Sequence, residues 1–150
     1  MTETAPSSET IHASCVLIDG AGVLLHGASG AGKSDLALRL IDRGAALVSD
    51  DYTLVRRIGD RLVATAPPTI AGRIEVRGIG VIDMPCAAEA HVRLLIALDE
   101  PVPRMPDAAP AERWIAGVAL PVIALPALEP SAPIKVELAL RNLGLGDKQP

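Results

Sequence analysis

The sequence predicts a mixed α/β domain in which a phosphate-binding loop (P-loop) follows a β-hairpin, and three observations predict it. Gly27-Ala28-Ser29-Gly30-Ala31-Gly32-Lys33-Ser34 fits the pattern G-x-x-x-x-G-K-[ST] at every fixed position. Two short apolar runs, residues 15–18 and 23–25, flank Asp19-Gly20, a residue pair suited to a tight hairpin turn. Beyond the loop, Leu36 and Leu40, and Ala37 and Ile41, repeat at i, i+4, the period of a helix with one buried face. Many phosphate-loop folds begin instead with a strand of a wholly parallel sheet, so a hairpin feeding the loop narrows the class.

The bulk properties are those of one domain. A chain of 150 residues is long enough to bury a single core. Mean hydropathy is high at +0.34, yet no run of about 18 apolar residues occurs, so no membrane span is expected. Residues 1–9 are polar and acidic, which reads as a flexible lead-in and not as a secretory signal; one domain of residues 10–150 is expected to follow, in the cytoplasm. Net charge is −4, the basic residues are scattered, and one Trp, one Tyr and no Phe leave no stacking platform for a single strand; no nucleic acid partner is expected. Cys15 and Cys86 lack the spacing of a zinc site or a disulfide framework and read as two small buried hydrophobes in a reducing cytosol.

Taken in order, the hairpin delivers its second strand into the loop. A helix is expected over residues 32–43, with Gly44 at its C′ position and Asp35 in its first turn. Residues 45–48 form a buried-strand pattern that ends in Ser49-Asp50-Asp51. Residues 52–57 and 61–66 read as short strands joined through Gly59-Asp60, stopped by Pro67-Pro68. The glycine-spaced stretch from Gly72 to Ile82 alternates Ile74 and Val76 against Arg73, Glu75 and Arg77. Residues 91–98 read as a core strand. Eight prolines lie between Pro101 and Pro133, too closely spaced for long helices, and an ordered connection is expected there, with a helical turn or two at residues 111–115, a short strand at 120–125 and a final helix at 134–143.

Chemistry follows from the loop. Glycines let backbone N–H groups turn inward around a polyphosphate, and the helix N-terminus adds positive potential. Lys33 then reaches the β- and γ-phosphates, and the Ser34 hydroxyl is placed for Mg²⁺. Phosphoryl transfer further needs a group to handle the acceptor proton, and the candidates are Asp50, Asp51 and Glu75. In a regular strand Asp50 and Asp51 would point to opposite faces; both serve one site only if the strand ends at Ser49 and the chain turns. The competing interpretations are a solvated acidic loop for the aspartates, a surface charge pair for Glu75 and Arg77, and a hydrogen-bonded structural role for His12 and His26.

Together, His12, GASGAGKSDLALRL, RGAALVSDD and IEVRGIGVID resemble the catalytic domain of the bacterial HPr kinase/phosphorylase family, over about residues 10–145. The segment from Glu75 to Asp83 is close to that family's signature, and Trp114-Ile115-Ala116-Gly117-Val118-Ala119-Leu120-Pro121 is similar to a stretch before its last strand. The resemblance implies an α/β mixed-sheet P-loop domain of the HPr kinase / phosphoenolpyruvate carboxykinase-like type. It also implies a serine kinase that uses ATP, or pyrophosphate, with Mg²⁺ to phosphorylate the phosphocarrier protein HPr, removes the phosphate by phosphorolysis, and so regulates the phosphotransferase system and carbon metabolism. Carried over, the residues from Gly27 to Ser34 hold phosphate; Ser34, Asp51 and Glu75 are metal-binding positions; Asp50 is the catalytic acid/base, with His12 and Arg77 lining the site. A homo-oligomer, hexameric in the family, is implied too. Where long members have a Pro-Gly-Arg-rich loop tied to dephosphorylation, this chain has Pro130-Ser131-Ala132-Pro133-Ile134-Lys135, the pattern of a short form. The alternatives are a small-molecule P-loop kinase, which needs an arginine-rich lid where this chain offers Arg104 and Arg113, and a nucleotide-binding regulatory module without turnover.

Overall fold

The computed structural model describes residues 7–106 and 108–146. In chain order the elements are β1 (Ser8–Ile11), β2 (Ala13–Ile18), β3 (Ala21–His26), α1 (Lys33–Asp42), β4 (Ala46–Ser49), β5 (Thr53–Ile58), β6 (Arg61–Thr65), β7 (Arg73–Val76), β8 (Gly80–Asp83), β9 (Ala90–Ala97), β10 (Ala111–Ile115), β11 (Val118–Ala124) and α2 (Ala132–Asn142). The main sheet runs β1-β5-β6-β9-β3-β2-β4, and β7 and β8 form a separate antiparallel pair. It is a mixed sheet, as expected: β2 and β3 are the antiparallel hairpin, while β3 runs parallel to β9.

The sheet forks at β9. Val92 pairs with Leu62 of β6, whereas Leu95, Ile96 and Ala97 pair in parallel with Val122, Ile123 and Ala124 of β11. The carboxyl ends of β3, β9 and β11 therefore lie side by side, the edge at which open α/β sheets bind ligands.

Strand alternation divides the core in two. Val16, Val23, Leu25, Leu94 and Ile96 face the helices and pack with Leu36, Leu40, Val136 and Leu140. Cys15, Leu24, Val92 and Leu95 face the other way and pack with Val55, Leu62, Ile115 and Leu120, where the sheet curls over itself. The buried stripe of α1 is Leu36, Ala37 and Leu40, as its period requires.

Three expectations change. Residues 1–6 lie outside the described residues, but Ser8 and Glu9, expected in the lead-in, belong to β1 and pair with Arg56 and Val55. Residues 111–115 are a strand and not helical turns, paired with residues 118–122. Ala116 and Gly117 both have positive φ (49° and 84°), the geometry of a type I′ hairpin turn, so the ladder of β10 and β11 satisfies the backbone there. Finally, Cys86, expected to be buried, is exposed, while Cys15 is buried as expected; β2 lies between β3 and β4, antiparallel to both. Among the described residues no helix is long and apolar enough to cross a membrane.

Candidate active site

The P-loop leaves β3 after His26 and enters α1 at Lys33, with Gly32 as the N-cap. Gly32 has φ of 97°, and a Cβ there would lie 2.9 Å from the Cβ of Ala127, so the β11–α2 connection packs directly on the loop. Arg39 fixes that connection: its guanidinium donates to the carbonyls of Glu129 (3.0 Å) and Ala127 and pairs with Asp35 at 2.8 Å.

A cleft of about 460 Å³ opens beside the loop. Ser29, Gly30, Gly32, Lys33 and Ser34 line it from the loop, Asp50 and Asp51 from the end of β4, Glu75, Val76 and Arg77 from the β7–β8 hairpin, and Leu128 from the β11–α2 connection. Gly27, Ala28 and Ala31, also expected to hold phosphate, do not line it. The carbonyls of Gly27 and Ala28 instead accept hydrogen bonds from Lys33 Nζ at 2.8 and 3.0 Å, and the Ala28 N–H donates to Asp99 at 3.0 Å. Lys33 is buried, with its ammonium also 3.6 Å from Asp51.

The strand does end at Ser49. Asp51 turns into the left-handed region (φ 67°), which sends both carboxylates into the cleft. Asp50 is buried: its Oδ1 accepts from the hydroxyls of Ser34 (2.6 Å) and Ser14 (3.0 Å), and its Oδ2 from the Glu75 N–H (3.1 Å). Three donors on one carboxylate leave one of its about four acceptor sites open. Asp51 is half exposed and lies 2.9 Å from His12 Nε2. His12 does not line the cleft; it reaches it through Asp51, and its ring stacks on Tyr52 with centroids 4.9 Å apart.

His26, just before the loop, faces Arg113 at 3.4 Å. Burial, then the Arg113 charge, lower its pKa from the ordinary histidine value. Arg113 is itself paired with Glu100. Ser14, Asp99, Arg39 and Leu128 were not singled out from sequence. Ser14, Asp99 and Leu128 meet the loop or its aspartates, and Arg39 meets the connection that packs on the loop, each through a contact between distant segments that no local pattern records.

Among the described residues, no three His, Cys, Asp or Glu side chains converge as a ready-made metal cage. The donor set is a serine hydroxyl with separate carboxylates in the cleft beside the loop. That suits Mg²⁺, which keeps several waters and is held by one or two carboxylates together with substrate phosphates.

Comparison with known proteins gives one consistent picture. The model of the HPr Serine kinase C-terminal domain family matches residues 3–101. The HPr kinase/phosphorylase of Caldanaerobacter subterraneus subsp. tengcongensis is 51% identical over 76 residues, covering 50% of this chain and 25% of that protein. The HPr kinase/phosphorylase of Exiguobacterium sibiricum is 49% identical over 83 residues, covering 55% of this chain and 26% of that protein. The match thus spans about a quarter of the length of these curated relatives. A solved structure, the Hpr(Ser) kinase/phosphatase from Coxiella burnetii, superposes with a TM-score of 0.79 at 32% identity and covers 91% of each chain.

Proposed function

The chain belongs to the HPr Serine kinase C-terminal domain family, and from that premise we propose that it is an ATP- and Mg²⁺-dependent protein-serine kinase whose substrate is the phosphocarrier HPr. The observation that carries the reading is the meeting of Lys33, Ser34, Asp50 and Asp51 in one cleft at the start of α1. Phosphoryl transfer depends on positioning and charge stabilisation, and this cleft offers both. Loop amides and Lys33 bind the donor phosphates. Ser34, Asp51 and Glu75 would hold Mg²⁺, which when bound supplies neutralising charge to the phosphates. Asp50, held by Ser34, Ser14 and the Glu75 amide, accepts the proton of the substrate serine as its oxygen bonds to the γ-phosphorus and the bond to ADP breaks. In the reverse direction inorganic phosphate attacks the phosphoserine phosphorus, the serine O–P bond breaks to leave pyrophosphate, and the same carboxylate, protonated, returns its proton to the serine oxygen. His12 orients Asp51, and Arg77 borders the opening through which the serine enters.

Arg113 is engaged with Glu100 and faces His26, which weakens its candidacy for the arginine lid of a small-molecule kinase. The role that follows is regulation of the phosphotransferase system and carbon metabolism. Incubation with HPr, ATP and Mg²⁺, followed by mass spectrometry, should place one phosphate on an HPr serine. An unmodified HPr from the same organism would overturn the proposal.

A further inference from the structure

The Ser14 side chain lies on β2, fully buried, and belongs to no part of the phosphate-loop motif. Its hydroxyl is used in both directions: it donates to Asp50 Oδ1 at 3.0 Å and accepts the N–H of Asp51 at 2.9 Å. One atom thus ties the carboxylate of one aspartate to the backbone of the next. We propose that Ser14 is a positioning residue that holds Asp50 and Asp51 as a single unit for phosphoryl transfer, an inference that rests on the kinase reading above.

Two features of the turn make such a tie necessary. Asp51 has φ of 67°, a conformation that non-glycine residues hold only where their surroundings over-determine it. Without that turn the two side chains would alternate to opposite faces and only one would reach the cleft. The Asp51 N–H, bonded to Ser14, and the Asp51 carboxylate, bonded to His12, fix the residue at both ends.

Asp50 needs the tie for a different reason. Its Oδ1 sits between two hydroxyls, Ser34 from the phosphate loop and Ser14 from the sheet. Ser34 is claimed by the donor phosphates and their cation once these bind, so its bond to Asp50 cannot be relied upon during the reaction. Ser14 stands on a strand paired on both sides, with β3 and β4, and does not touch the cleft. It is the hydroxyl that stays, keeping Oδ1 fixed while Oδ2 is held by the Glu75 amide.

The test is Ser14→Ala, read in three ways on the full chain. The kcat for transfer to HPr should fall on the order of tenfold to a hundredfold, the loss expected from misplacing a reacting group, while KM for ATP stays within about threefold because the loop is untouched. Hydrogen exchange at the Asp51 amide should quicken by about fivefold or more, while amides of the β2–β3 ladder keep their protection. A kcat within about twofold of the parent, or an Asp51 amide that exchanges at the parent rate, overturns the inference. A parent chain that leaves HPr unmodified overturns the kinase reading instead, and the Asp51 amide then decides the role of Ser14 by itself. If Ser14→Ala does not fold, Ser14→Cys takes the same measurements, since a thiol fills the space but is a weak donor and acceptor.

Discussion

Lys33 Nζ lies 2.8 Å from the carbonyl oxygen of Gly27, so the loop's own lysine is bonded back into the loop. On the proposed kinase reading, a polyphosphate would draw this ammonium away from two carbonyls and from Asp51. Replacing Lys33 with Met removes the charge while keeping the chain length. Transfer to HPr should drop on the order of a hundredfold or more, with weaker ATP binding by titration calorimetry. Unchanged affinity and rate would remove Lys33 from the phosphate site.

Asp50→Asn keeps the shape and replaces one oxygen with a donor that meets the hydroxyl and amide donors already present. Transfer to HPr should fall by roughly 100- to 10,000-fold, the range for loss of a general base. ATP affinity should be nearly unchanged. Transfer at the parent rate would show that the serine proton goes elsewhere.

At Gly32 a methyl group meets two obstacles, φ of 97° and a contact of 2.9 Å with Ala127. Gly32→Ala should lower stability by about 1–3 kcal/mol in a urea titration. It should also weaken ATP binding, since the loop and the β11–α2 connection must separate to accept it. A variant of parental stability would mean that the two segments do not touch in solution.

His26 binds its proton more weakly in the folded chain than in the unfolded one, because of burial and then Arg113, with Asp99 and Glu100 acting in the opposite sense. The unfolded state therefore takes up more protons as pH falls. The stability that His26 contributes is present above its ordinary value of 6.5 and is lost as pH falls through the lower folded value. His26→Gln should flatten that acid-side fall in melting temperature, and an identical slope in parent and variant would refute the assignment.

Burial pushes the Cys15 thiol up to about 12, whereas Cys86 is exposed. A thiol reagent at pH 8 should label Cys86 in the native chain and reach Cys15 only on unfolding. From pH 9 upwards the unfolded thiol loses its proton while the folded one keeps it, so this group removes stability as pH rises towards 12. Rapid native labelling of both cysteines would contradict the packing of β2.

What could be read from sequence was what lies close together in the chain. The hairpin at Asp19-Gly20, the phosphate loop and the buried stripe of α1 are local patterns, and each appears where its residues place it. The turn after Ser49 was legible as a condition, because two adjacent carboxylates cannot share a site without it. Strand β10 was hidden because Ala116-Gly117 lacks the Asn or Asp that usually marks a type I′ turn, and because prolines on both sides weaken the strand pattern. Ser14, Asp99 and Arg39 escaped for a different reason. Their partners are 36, 71 and 88 positions away, and no local period records such contacts.

The fork at β9 bears on how the chain acquires its activity in time. The hairpin that carries the phosphate loop closes over a few residues, a microsecond event. Its brace, β9, pairs Val92 with Gly22, and the loop amide of Ala28 waits for Asp99. Those encounters are slow because a long stretch of chain must first lose its freedom. During refolding, hairpin signals should therefore recover before nucleotide affinity does, leaving an interval in which the motif is complete and the site is not.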